Sequence, residues 1–178
     1  MLARFSLLAF CLFLALPAAA QERANEEARP SPNALVGQTI GTTDVTVTYG
    51  RPHVRGREIF GGLEPYGEVW RTGANEATTI TFSDDVTFGG EEVAAGTYAL
   101  FTIPGEESWT VILNSEANQW GAMNHDASKD VASFEVTPEA ATSAEMLTFY
   151  FDDVTDTEGM LVFHWAETRV PIMISTGS

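Results

Sequence analysis

Val45-Thr46-Val47-Thr48-Tyr49 is the stretch that decides the fold. Its apolar residues fall on every second position, which puts Val45, Val47 and Tyr49 on one face of an extended chain and the threonines on the other. β-Branched and aromatic side chains suit such a half-buried pleated surface. Ile80 and Phe82 repeat the pattern against Thr79 and Thr81, and residues 97–103, 109–113, 131–136, 146–151, 160–165 and 170–174 have the same composition. Turn signals separate them, at Asp84-Asp85, Gly89-Gly90, Ala95-Gly96, Pro104-Gly105, Pro138 and Glu158-Gly159, spaced for hairpins and short connections. The expected fold is all-β, an antiparallel two-sheet sandwich with Greek-key-like connections, although strand count alone does not separate it from a closed barrel. No amphipathic helix stands out; residues 139–145 have room for one or two helical turns at most. Gly96, two residues before Tyr98, has the spacing of a tyrosine corner, in which the phenol bonds back to nearby backbone; a plain strand tyrosine is the alternative.

Residues 1–20 carry Arg4, an apolar run from Phe5 to Leu16, and Pro17-Ala18-Ala19-Ala20. Charge, apolar core and small-residue cleavage site in that order are a signal peptide, and the run is shorter than the roughly 20 residues that span a bilayer. Cleavage after Ala20 is expected, with a periplasmic or secreted product and no membrane span afterwards. Cys11, the one cysteine, lies in the removed run, so the mature chain has no disulfide and no thiolate nucleophile. Residues 21–33, with Glu22, Glu26, Glu27, Pro30 and Pro32, are nearly free of apolar side chains and read as a disordered leader. Residues 34–178 suit a single domain.

The formal net charge is −16, and Lys129 is the only lysine. Nucleic acid is excluded as a partner, since phosphate binding needs a basic face. A surface dominated by Asp and Glu is typical of proteins from salty habitats, and its self-repulsion costs stability at low ionic strength.

No G-x-S-x-G elbow, H-E-x-x-H helix, P-loop or G-x-G-x-x-G fingerprint occurs, and no cofactor motif is present. His53, His125 and His164 are far apart in sequence, so separate local roles are expected and no metal site. The acidic run 152–159 lacks calcium-loop spacing and reads as a solvated hairpin connection. Residues 114–130, with Trp120, Asn124, His125 and Asp126, form a long polar loop suited to one wall of a cleft.

Residues 50–77 concentrate four of the nine basic side chains between two strands. A connection longer than about 12 to 15 residues is usually functional or disordered; Ile59, Phe60, Leu63, Tyr66, Val69 and Trp70 argue for an ordered lobe. The stretch Tyr49-x-Arg51-Pro52-x-Val54-x-Gly56-Arg57-x-Ile59-Phe60-Gly61, followed by Val69-Trp70-Arg71-Thr72-Gly73-Ala74-Asn75-Glu76-Ala77-Thr78, resembles the signature of a secreted bacterial family known only as a domain of unknown function. The resemblance continues through Ala95-Gly96-Thr97-Tyr98 and Phe101-Thr102-Ile103-Pro104 toward Trp165. It implies an exported β domain and brings no activity.

Two arrangements are open to the lobe. In one, Arg51, Arg57 and Arg71 pair with Glu58, Glu64, Glu68 or Glu76 in a structural clasp. In the other, arginines face a pocket floored by Tyr66 and Trp70, with Asn75 and Glu76 giving directed polar contacts to an anionic or sugar-like ligand. The candidate ligand-binding residues are therefore Arg51, His53, Arg57, Tyr66, Trp70, Arg71, Asn75 and Glu76, and the leading expectation is an exported, non-catalytic binding domain. One alternative is an extracytoplasmic hydrolase in which His53 works with Glu64 or Glu76 as acid and base. Another is an envelope structural or interaction protein with no small ligand.

Overall fold

A computed structural model describes residues 27–177. The expected signal peptide, its cleavage site after Ala20 and Cys11 lie outside these residues. The strands, in chain order, are β1 (Asn33–Ile40), β2 (Thr43–Gly50), β3 (Thr78–Phe82), β4 (Val86–Phe88), β5 (Glu91–Val93), β6 (Gly96–Ile103), β7 (Trp109–Asn114), β8 (Asp130–Val136), β9 (Glu139–Asp152) and β10 (Glu158–Thr176). Among the described residues the only helical turn is a 3-10 turn at Ala127–Lys129. The strands form two antiparallel sheets, ordered β1-β2-β3-β6-β7-β8 and β5-β4-β10-β9. Neither sheet closes on itself, and the architecture is the expected sandwich.

The alternation in β2 sets its register. Val45, Val47 and Tyr49 are buried while Asp44 faces solvent, and Val45 and Val47 lie opposite Phe82 and Ile80 of β3. A slip of one residue would turn every one of these side chains to water. The 160–165 and 170–174 stretches, read as two strands, belong to the single strand β10. Its first part pairs with β9 and its last three residues with β4, and bulges between His164 and Thr168 bend it from one partner to the other. Ala166 sits there at φ 52°. Tyr98 makes the corner bond: its hydroxyl donates to the Ala94 carbonyl oxygen at 2.8 Å.

One expectation is corrected. Residues 139–145 form the start of β9 rather than a helical turn, with Glu139 and Ala140 opposite Arg169 and Thr168; the long β10 offers a ladder of backbone partners that outweighs a weak local helix preference. Residues 31–33, at the end of the leader, bond to the domain. Asn33 opens β1, the Arg51 amide donates to the Pro32 carbonyl at 2.8 Å, and the Asn75 side-chain amide donates to the Ser31 carbonyl at 3.0 Å. Two prolines and few apolar residues hid a segment held by hydrogen bonds to the lobe rather than by burial of its own side chains.

The core between the sheets contains Phe82, Phe88, Trp109, Phe163 and Trp165 together with Ile59 and Trp70 of the lobe. Trp70 stacks on Trp165 at 5.8 Å, and Phe60 meets Trp109 edge-on at 4.6 Å. The lobe thus plugs one end of the sandwich. A second cluster, Ala77, Ala99, Phe101 and Ile112, is packed by Val69, Ile103 and Ala122, and the His125 ring lies 5.1 Å from Phe101.

Candidate functional site

Residues 51–54 leave the first sheet and extend the second. The Leu147 amide donates to Pro52 and the Val54 amide donates to Glu145, which adds a short strand to the free edge of β9. Arg51 fixes this crossing: its Nε donates to the Leu147 carbonyl at 3.0 Å and its Nη2 to the Thr148 hydroxyl at 2.8 Å. Beyond a turn with Arg55 and Gly56 at positive φ, Arg57 folds back and donates from Nε to Val54 and from Nη2 to His53, both backbone carbonyls. Two of the three candidate arginines are therefore spent within the fold, Arg51 on a carbonyl and a hydroxyl of β9 and Arg57 on two carbonyls of the connection itself.

Trp70 lies at the end of β6, exchanging backbone hydrogen bonds with Thr102 at 2.7 and 2.9 Å. It is only 3% exposed, and its indole nitrogen donates to the Gly73 carbonyl. The expected pocket floor is a core residue. Residues 71–78 then make a closed excursion. The Thr78 amide donates to the Arg71 carbonyl, the Thr78 hydroxyl donates to the Thr72 carbonyl, and Thr72 and Asn75 take positive φ. Glu76, 8% exposed, accepts from Nη1 of Arg29 at 2.9 and 2.8 Å. The 114–130 loop backs this excursion through Ala77 donating to Gln119 and Gly121 donating to Asn75.

The clasp therefore differs from the expected one. Among the described residues no arginine of 51–71 pairs with a carboxylate; the ion pair at the lobe comes from Arg29, outside it. Of the candidate residues, two have a polar atom buried without a hydrogen-bond partner among the described residues, Arg71 at Nε and His53 at Nδ1. Burial pushes the Glu64 carboxyl up to about 7, against the pull of the Arg71 and Arg57 charges. Among the described residues no hydrogen bond joins His53 to Glu64 or Glu76. His125 and His164 each have a separate partner, Asp130 and the Thr142 carbonyl. Among the described residues no group of three or more His, Cys, Asp or Glu is placed to hold a metal.

One candidate faces open space. Tyr66 is 43% exposed, and its ring lies over Gly61, where a β-carbon would come within 2.7 Å of the ring. That contact, at a glycine with φ 84°, holds the ring in place without covering it. Tyr66 and Phe60 form one wall of a groove of about 380 Å³, with Trp109 also lining it and the turns at Gly105-Glu106 and 138–141, together with Glu167 and Thr168, on the other sides. The Gly67 amide ties the lobe to the Pro104 carbonyl across the groove's end. Phe60, Glu106, Trp109, Glu139 and Glu167 were not among the candidates. The readable signal for them was topological: the β6–β7 hairpin turn and the β8–β9 crossing between the sheets reach the same groove, and the lobe had to dock at one end of the sandwich or the other.

An antiparallel β-sandwich, plugged at one end by an ordered lobe that leaves an aromatic groove, is the class that fold and site define. The sequence model of the family described as Protein of unknown function (DUF2911) matches residues 31–174, and the chain belongs to that family. No curated protein and no solved structure matches the chain.

Proposed function

We propose that the protein is an exported, non-catalytic binding domain that holds a small sugar-like ligand in the groove beside Tyr66. The observation that carries this reading is the Tyr66 ring, fixed on Gly61 yet 43% exposed along a concave, aromatic-lined surface. An amphipathic ring held in one orientation offers a stacking face at little entropic cost. The anionic half of the earlier expectation loses its support, because Arg51 and Arg57 are bonded to backbone and no basic residue lines the groove. Saturation-transfer NMR with D-glucose tests the reading: its ring protons should receive saturation from the wild-type protein and none from a folded Tyr66→Ala variant. Equal transfer from both would remove Tyr66 from the site.

Export rests on residues 1–20 and predicts Gln21 at the N-terminus of the protein recovered outside the cytoplasm, by mass spectrometry. Intact Met1 in a membrane fraction would contradict it.

A second reading is favoured by Glu64 alone. A carboxyl that titrates near 7 is suited to give or take a proton at neutral pH. The hydrolase alternative, with His53 and Glu64 or Glu76 as acid and base, predicts hydrolytic turnover that Glu64→Gln abolishes.

A further inference from the structure

The sequence concentrates positive charge in the lobe, yet the groove the lobe creates is negative. Glu106 enters from the β6–β7 turn, Glu139 from the start of β9 and Glu167 from the β10 bulge. Glu139 is neutralised by Arg169, whose Nε donates to it at 2.6 Å. Glu106 and Glu167 are exposed and form no ion pair among the described residues. Among the described residues no lysine or arginine lines the space. The same groove is lined by Phe60 and Tyr66, and an aromatic ring attracts a cation placed over its face. Both terms carry the same sign. An anion meets repulsion from the Glu106 and Glu167 carboxylates, a neutral ring gains only stacking and hydrogen bonds, and a cation gains from both carboxylates and from an aromatic face.

We infer that the groove selects a ligand bearing a protonated amine on a sugar-like ring, the ring lying on Tyr66 and the ammonium placed toward Glu106 and Glu167. This rests on the reading of the groove as the ligand site, and it adds the sign of the ligand's charge. The bulge in β10 has a role in it: the register shift between Ala166 and Thr168 is what places Glu167 on the groove rather than in an even ladder.

Isothermal titration calorimetry of the full chain with D-glucosamine, D-glucose and D-glucuronate tests the inference, at about pH 6 where the amine is protonated and the carboxylates are ionised. D-Glucosamine should bind about tenfold more tightly than D-glucose, its advantage should shrink with added salt, and D-glucuronate should give no binding heat. Glu106→Gln combined with Glu167→Gln, both surface changes, should bring D-glucosamine down to the affinity of D-glucose. Equal affinity for D-glucosamine and D-glucose, lost together in Tyr66→Ala, would overturn the selection by charge and leave the groove standing as a sugar site. A preference for D-glucuronate, or a preference for D-glucosamine that survives the double substitution, would overturn it too. Absence of binding by all three sugars would remove both the inference and the groove reading.

Discussion

Gly50 and Ala74 touch through their backbones: a β-carbon at position 50 would lie 2.2 Å from the Ala74 carbonyl oxygen. This contact joins the end of β2 to the excursion at 71–78, residues that the sequence separates by the whole lobe. It sets the spacing between the first sheet and the lobe. Since the obstacle is backbone rather than a flexible side chain, Gly50→Ala should destabilise the domain by about 3 kcal/mol, the upper part of the range for overpacking. Urea unfolding checks it; a loss below about 0.5 kcal/mol would show that the two segments separate freely.

Arg29 reaches the lobe from a segment without regular structure and bonds both oxygens of Glu76, a carboxylate that is otherwise nearly buried. Removing one member of a fully buried pair costs about 3 to 5 kcal/mol. Arg29 keeps some solvent contact, so Arg29→Ala should cost about 2 kcal/mol. Trimming the chain to begin at Asn33 should cost at least as much. An unchanged unfolding midpoint in both would mean that the leader contributes nothing to the fold.

Glu64 gives the domain a pH dependence of definite sign. Its carboxyl is raised from an ordinary 4.5 to about 7 in the folded chain, so between those values the folded state keeps a proton that the unfolded state has released. Stability attributable to Glu64 is therefore highest below the lower value and falls as pH rises toward the upper one. With the group partly solvated, the fall is on the order of 1 to 2 kcal/mol. Glu64→Gln cannot ionise and should exceed the wild type in stability at about pH 8 while matching it at about pH 5. Unfolding titrations of the two proteins across that range measure the difference, and parallel curves would show that Glu64 is solvated after all.

The strands were legible wherever alternation was strong. Val45 to Tyr49 and Ile80 to Phe82 take the faces their pattern assigns. β10 was read as two strands because its bulge interrupts the alternation, and a bulge is fixed by the partner strand rather than by its own residues. Residues 139–145 carry no pattern of their own and take strand form from β10. In the lobe, Ile59, Phe60 and Trp70 announced an ordered core. The direction of its arginines was hidden: a guanidinium accepts carbonyl or carboxylate partners equally well in sequence terms, and only the crossing from β2 to the edge of β9 presents Arg51 with Leu147 and Thr148. Glu106, in a turn, and Glu167, in the β10 bulge about 60 residues further along the chain, come to one groove only through the sheet order.

The proposed division of labour within the lobe, in which Arg51 holds the fold and Tyr66 meets the ligand, is tested most directly by one comparison of melting temperatures with and without millimolar D-glucosamine. Binding to the native state alone raises the melting point. Arg51→Ala should melt lower than the wild type, having lost two hydrogen bonds from a charged donor at about 1.5 kcal/mol or more each, and should keep the ligand-induced rise. Tyr66→Ala should melt near the wild type and lose that rise. The contradicting result is the reverse pattern, an Arg51→Ala protein of normal stability that no longer responds to D-glucosamine beside a Tyr66→Ala protein that still does.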